Sequence, residues 1–204
     1  MICKSKKEDT AMIKGNKIRL IPATLNDRQK VYEWCFQSET TKCHSGPPDY
    51  PNNPIPTYEE FCNSDEGGYT EYYFTGARPN DGRGFLIMNG EEAVGFISYC
   101  SFHLKSETSE LDIWMKDEAN CGKGFGTGAL ISLSNYLNEE MGIRELIIAP
   151  SKRNTRAVRA YEKAGFRKTD KAMSAFLLDE YVAAFGEGDH GMEDTAILVK
   201  RSEQ

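Results

Sequence analysis

The sequence predicts a single mixed α/β domain, on three observations. First, residues 110–138 read as a strand, a glycine-rich turn and a helix. Leu111, Ile113 and Met115 alternate with Asp112, Trp114 and Lys116, which is strand period. After the turn Asn120-Cys-Gly-Lys-Gly-Phe-Gly-Thr-Gly128, the residues Ala129, Leu130, Leu133, Tyr136 and Leu137 recur at helical spacing. Second, a short apolar strand, Leu146–Ala149, leads through Pro150 into a helix that Asn154 caps and Gly165 ends. Third, Asn89-Gly90 is a hairpin signal between Phe85–Met88 and Ala93–Cys100. Strands interleaved with helices in a chain of 204 residues imply one sheet covered by helices.

The remaining elements follow in order. Residues 1–14 read as a polar, flexible arm, leaving 15–204 as one domain. Lys17–Pro22 alternates and reads as an edge strand. Thr24 or Asn26 can cap a helix running to about Gln37, with Val31, Trp34 and Cys35 on one face. From Ser38 to Pro56 the prolines fix φ and remove donors, so a loop is expected. Thr57-Tyr-Glu-Glu60 is a capping box opening a short helix to about Asn63. Glu71–Phe74 and Gly84–Met88 read as strands around a turn at Arg78–Gly82. In Ala93–Cys100, Val94 and Phe96 are expected on one face and Ile97 and Tyr99 on the other, as in a central strand. Gly142 is placed to end the long helix. Phe166–Asp170 and Glu193–Val199 read as closing strands around the segment 178–192.

Composition narrows the class. No segment is apolar enough to cross a bilayer, and no apolar stretch follows the basic start, so a cytoplasmic protein with no membrane partner is expected. The net charge of −6 argues against a nucleic-acid partner. The cysteines (3, 35, 43, 62, 100, 121) show no paired spacing and read as reduced thiols. Cys43-His44 is half a metal site without a second half, so no metal is expected. His44, His103 and His190 show no spacing that suggests a shared site; His103 is within reach of the cleft by position, but a surface place is expected for it.

Glycines opening a helix make an anion cradle. The first amides of a helix have no partners within it, and the dipole favours negative charge there. Gly122, Gly124 and Gly126 therefore suggest a phosphate or pyrophosphate site. A Walker-type loop needs Ser or Thr after Gly-Lys, and Gly124 follows Lys123 here. A dinucleotide loop starts at the strand end, with an acid at the tip of the next strand. Here several residues separate Met115 from Gly122, and the next strand ends in Ala149-Pro150.

Gly122-Lys-Gly124-Phe-Gly126-Thr127 is followed about thirty residues later by Asn154-x-Arg-Ala-x-x-x-Tyr161-x-Lys163-x-Gly165-Phe166. Together the two segments resemble the GNAT superfamily of acetyl-CoA-dependent N-acetyltransferases. One position departs: Cys121 stands where Arg or Gln is usual before the first glycine. Within the superfamily, Glu110-Leu-Asp112-Ile-Trp114 and Pro150 through Phe166 look like the aminoglycoside 6′-N-acetyltransferases. The resemblance implies a mixed, mostly antiparallel twisted sheet with helices on both faces and a splayed central strand pair. It implies acetyl-CoA as co-substrate, held by Trp114, Met115, Gly122, Lys123, Gly124, Phe125, Gly126, Thr127, Asn154 and Lys163. Basic residues between Lys152 and Lys171 suit its phosphates. It implies a small amine acceptor chosen by residues 38–63, and a monomer or homodimer. Peptide or other small amines, and a non-catalytic CoA-binding module, stay open as alternatives.

Acetyl transfer to an amine needs the amine neutral, the oxyanion stabilised and the thiolate able to leave. Asp112 is the candidate that holds and deprotonates the amine, and Tyr161 is the candidate acid. By resemblance, a backbone amide near Trp114–Lys116 stabilises the oxyanion where the strands part. Direct transfer is expected over an acetyl-cysteine on Cys100 or Cys121, because holding both substrates together already supplies proximity.

Overall fold

The computed structural model describes residues 12–40, 55–63 and 71–202. Its strands are β1 (Ile13–Lys14), β2 (Arg19–Pro22), β3 (Gly82–Asn89), β4 (Glu92–Cys100), β5 (Thr108–Met115), β6 (Glu145–Ile148), β7 (Arg167–Lys168) and β8 (Leu198–Arg201). They form one sheet in the order β1-β2-β3-β4-β5-β6-β8-β7. Every pairing is antiparallel except β5 with β6.

That parallel pair carries the functional geometry. It is registered only over Thr108–Glu145, Ser109–Leu146 and Glu110–Ile147. Beyond Glu110 the two strands part, while β5 stays paired with β4 as far as Met115. The Lys116 amide donates to Val94 O at 2.9 Å. Because donors alternate sides along a strand, the amides of Ile113 and Met115 point the other way, into the gap.

Helices cover both faces. On one face lie α4 (Phe125–Met141) and α5 (Thr155–Lys163). They bury Leu130, Leu133, Leu137 and Val158 against Leu20, Ile87, Ile97, Leu111 and Leu146. On the other face lie α1 (Arg28–Phe36), α2 (Tyr58–Asn63) and α3 (Glu71–Thr75), packed on Leu86, Phe96 and Trp114. A third cluster joins Leu104, Ile147 and Val199 to Met173, Phe176 and Leu177. No helix of the described residues is long and apolar enough to cross a membrane.

Local signals explain most element ends. Asn154 Oδ1 accepts from the Ala157 amide at 3.1 Å, capping α5. Gly142 takes φ +70 after α4, and the Ile143 amide closes back on Leu137 O. Thr24 and Asp27 form a capping box before α1, and Thr57 and Glu60 form one before α2. The β3–β4 hairpin turns at Gly90-Glu91, because Asn89 still pairs with Glu92.

Several expectations are corrected. Glu71–Phe74 is helix, not strand. Tyr72, Tyr73 and Phe74 are all buried, and a short apolar run carries no period that separates the two. Gly82 lets two of these rings approach β3: a Cβ there would lie 3.0 Å from the Tyr72 ring and 3.2 Å from the Tyr73 ring. Val94 shares a core with Ile97 and Tyr99, not with Phe96. The register slips between Ile87 and Met88, so Val94 is an extra residue that reverses the alternation. β2 is not the sheet edge, because Ile13–Lys14 pairs outside it. Those two residues belong to the predicted arm; residues 1–11 lie outside the described residues, as does most of the 38–56 loop (41–54). The closing strands shorten to Arg167–Lys168 and Leu198–Arg201, since Gly191–Asp194 forms a short helix that brings Asp194 to Ser151 and Arg153.

Candidate active site

A cavity of about 1030 Å³ runs through the gap between β5 and β6. One end lies on the α4–α5 face and the other among the residues that cover the opposite face.

The first end is the glycine turn. Gly122 and Gly124 adopt φ +73 and +85, and a Cβ on either would meet nothing within 4 Å. The positive φ explains glycine at both positions, and the empty space leaves their backbone open to a ligand. Gly124 is the N-cap of α4, and the first bond of the helix runs from the Gly128 amide to Gly124 O at 2.9 Å. The helix therefore supplies no partner for the amides of Gly124, Phe125, Gly126 and Thr127.

The predicted binding residues divide by what their side chains do. Gly122, Gly124, Phe125, Gly126, Thr127, Asn154, Lys163, Trp114 and Met115 all line the cavity. Lys123 is exposed and is not part of its wall. Phe125 is buried in the core, and the Thr127 hydroxyl donates to Ala160 O at 3.4 Å, so both present backbone to the cavity. The carboxamide of Asn154 caps α5. Trp114 packs at a tilt against Phe96, with ring centres 5.0 Å apart. Of the basic run, Arg153 pairs with Asp194 and Arg156 with Glu118, while Arg156, Arg159 and Lys163 line the cavity.

Asp112 and Tyr161 come together at the gap. Asp112 is exposed into the cavity, on the face opposite Leu111. Tyr161 is 8% exposed. Its burial and then the charge of Asp112 push the phenol well above its usual range. Tyr161 therefore stays protonated and acts as a hydrogen-bond donor.

The second end is walled by groups that spacing did not reveal. His103 is 6% exposed and lines the cavity, as does the buried His190, so the surface placement of His103 is corrected. Its Nε2 lies 3.1 Å from Glu110 Oε2, and its Nδ1 lies 3.5 Å from Cys100 Sγ. Phe102 and Phe185 flank the ring at 4.9 and 5.3 Å. Phe185, Gly188, Asp189 and His190 border this end, so the segment 178–192 folds against the site. The register explains the cluster: Cys100 pairs with Glu110, and Ser98 with Asp112, placing the four side chains on one face. The signal available in the sequence was Cys100-x-x-His103 at the end of a strand whose partner carries Glu110.

Burial lowers the affinity of His103 for a proton, but Cys100 and Glu110 outweigh it and push the ring up to about 9. For Glu110, burial raises the carboxyl, His103 opposes this, and Asp189 adds to it; the net direction is up. A raised histidine contributes stability that is fully present below its ordinary ~6.5 and is lost as pH rises through about 9. Chemical denaturation across that range is expected to show stability falling toward pH 9, with a flatter profile for His103→Gln. An equal slope in the variant would show that the ring is not the titrating group.

Residues 17–167 match the family described as acetyltransferase (GNAT) domain, and the chain belongs to that family. No curated protein sequence matches. Among solved structures, the chain is similar to aminoglycoside acetyltransferase AAC(6′)-Ib in complex with coenzyme A and kanamycin. That similarity is at 18% identity and TM-score 0.61, over 89% of this chain and 93% of that one. It is also similar to spermidine N-acetyltransferase from Vibrio cholerae in complex with CoA and spermine, at 14% identity and TM-score 0.63, over 91% and 95%. A putative ribosomal-protein-serine acetyltransferase from Vibrio cholerae aligns at 16% identity and TM-score 0.60, over 94% and 98%. At these identities the likeness establishes the shared fold. Among the described residues, no group of three His, Cys, Asp or Glu could hold a metal ion.

Proposed function

We propose that this chain transfers an acetyl group from acetyl-CoA directly to a primary amine of a small cationic acceptor, an aminoglycoside 6′-amine by motif. The observation that carries the proposal is one cavity joining an anion cradle to a carboxylate. The Gly122–Thr127 backbone lies on one side of the parted strands and Asp112 on the other. Acetyl-CoA supplies the activated acetyl thioester. The fit rests on the open space over Gly122 and Gly124, where side chains would obstruct a diphosphate.

The chain's own residues then have these tasks. The amides of Gly124–Thr127 hold the diphosphate, with Arg159 and Lys163 adding positive charge. The Met115 amide, facing the gap, donates to the developing oxyanion. Asp112 holds the ammonium by charge and accepts its proton. Tyr161 donates a hydrogen bond to the departing sulfur; its raised pKa makes it a stronger holder of its own proton than a donor of it.

The acceptor end supports a small molecule over a peptide. Phe185, Asp189 and His190 border it where an extended chain would need an open groove. The test is an acceptor screen that follows release of free CoA thiol with aminoglycosides, polyamines and peptides. Release with aminoglycosides is expected. Release with peptides alone would overturn the acceptor, and CoA binding without any release would reduce the chain to a binding module.

A further inference from the structure

We infer that Cys100 is a nucleophilic thiol that takes the acetyl group from acetyl-CoA when no amine occupies the acceptor end of the cavity. His103 is its base, and Glu110 orients the ring. The inference rests on the cleft being an acetyl-CoA site.

Three observations carry it. The first is order: Cys100 Sγ lies 3.5 Å from His103 Nδ1, and Nε2 on the far side of the ring lies 3.1 Å from Glu110 Oε2. A nucleophile within reach of a base that a third group holds in place is the arrangement of covalent acyl transfer. Glu110 on Nε2 leaves Nδ1 facing the sulfur. The second is access: Cys100 is half-buried and, with His103 and Glu110, lines the same cavity as Asp112 and the glycine turn. Cys100 and Ser98 lie on one face of β4, two residues or roughly 7 Å apart, and Ser98 pairs with Asp112. The thiol is therefore about one strand repeat from the proposed amine position. The third is charge: the ring, raised to about 9, carries a proton at neutral pH beside Cys100 Sγ, and a cationic imidazole favours a thiolate next to it. The Tyr73 hydroxyl, hydrogen-bonded to Cys100, gives the sulfur a further polar neighbour.

The step balances as a thioester exchange. The Cys100 thiolate, its proton held on the His103 imidazolium, attacks the acetyl carbonyl. A Cys100 S–C bond forms, the CoA S–C bond breaks, and the CoA thiolate leaves with the proton returned from the imidazolium. No oxidant or further reactant is needed.

The full chain is incubated with acetyl-CoA and no amine, quenched in acid and mapped by peptide mass spectrometry. CoA binding is measured by calorimetry on the same sample. The expected result is one hydroxylamine-labile acetyl group on the Cys100 peptide, absent in Cys100→Ala. His103→Gln should slow its appearance about a hundredfold. Glu110→Gln should slow it, and Glu110→Asp should restore it. Binding of CoA with no acetyl on Cys100 overturns the inference and leaves the proposed function standing. Undiminished labelling of His103→Gln overturns the assignment of the base. A chain that binds no CoA overturns the proposed function and this inference with it.

Discussion

Gly126→Glu should abolish CoA binding while leaving the fold at least as stable as before. Gly126 sits in the first turn of α4, where an acidic side chain is favourable to the helix by roughly 0.3–1 kcal/mol. A Cβ there meets only Ile113 Cδ1 at 3.6 Å and Met115 Sδ at 3.7 Å, which is ordinary contact. The new carboxylate would compete for the amides proposed to hold the diphosphate and repel it by about 4 kcal/mol at close range. That is roughly a thousandfold in affinity. The two effects have opposite signs, which separates an anion site from a structural turn. Calorimetry for CoA and thermal unfolding check them together. A variant that binds CoA as tightly as the parent would remove the diphosphate from the start of α4.

Asp112→Asn should cut amine acetylation by roughly tenfold or more, the low end for a lost acid–base group. The substitution keeps the shape of the side chain on β5 and removes its charge. Asp112 lies on the side of the gap away from the glycine turn, so CoA affinity should not change. Loss of the charge also removes one cause of the raised Tyr161 phenol, whose titration should move down. Steady-state rates with amine and acetyl-CoA varied in turn check the first part, and ultraviolet titration of tyrosine checks the second. An unchanged rate would clear Asp112 of any part in the chemistry.

The segments that proved legible carry their reasons locally. The glycine turn, the Asn154 cap and the Gly142 stop each depend on a few neighbouring residues and on backbone geometry that one residue type satisfies. The mixed sheet followed from alternation and from the motif resemblance. The helix at Tyr72–Phe74 was not legible, because a run of buried rings has the same pattern in either conformation. The shift of Val94 was not legible either, because a bulge shows itself only in the pairing partner. The acceptor end was the largest omission. Cys100, His103 and Glu110 meet through the β4–β5 register and the turn at Ser101–Leu104, and Asp189 and His190 arrive from the far end of the chain. No linear spacing encodes that meeting. The residues expected to choose the acceptor, 38–63, are partly in view: Thr40 borders the cavity, as do Cys35 and Phe36 just before that range, while 41–54 lie outside the described residues.

Backbone amide NMR during a CoA titration tests the account most directly. Large shifts at Gly124, Phe125, Gly126 and Thr127, followed by Ile113 and Met115 in the gap, are the predicted result. Shifts confined to the separate groove beside Lys168, Lys171 and Ala172, with the glycine turn silent, would contradict it.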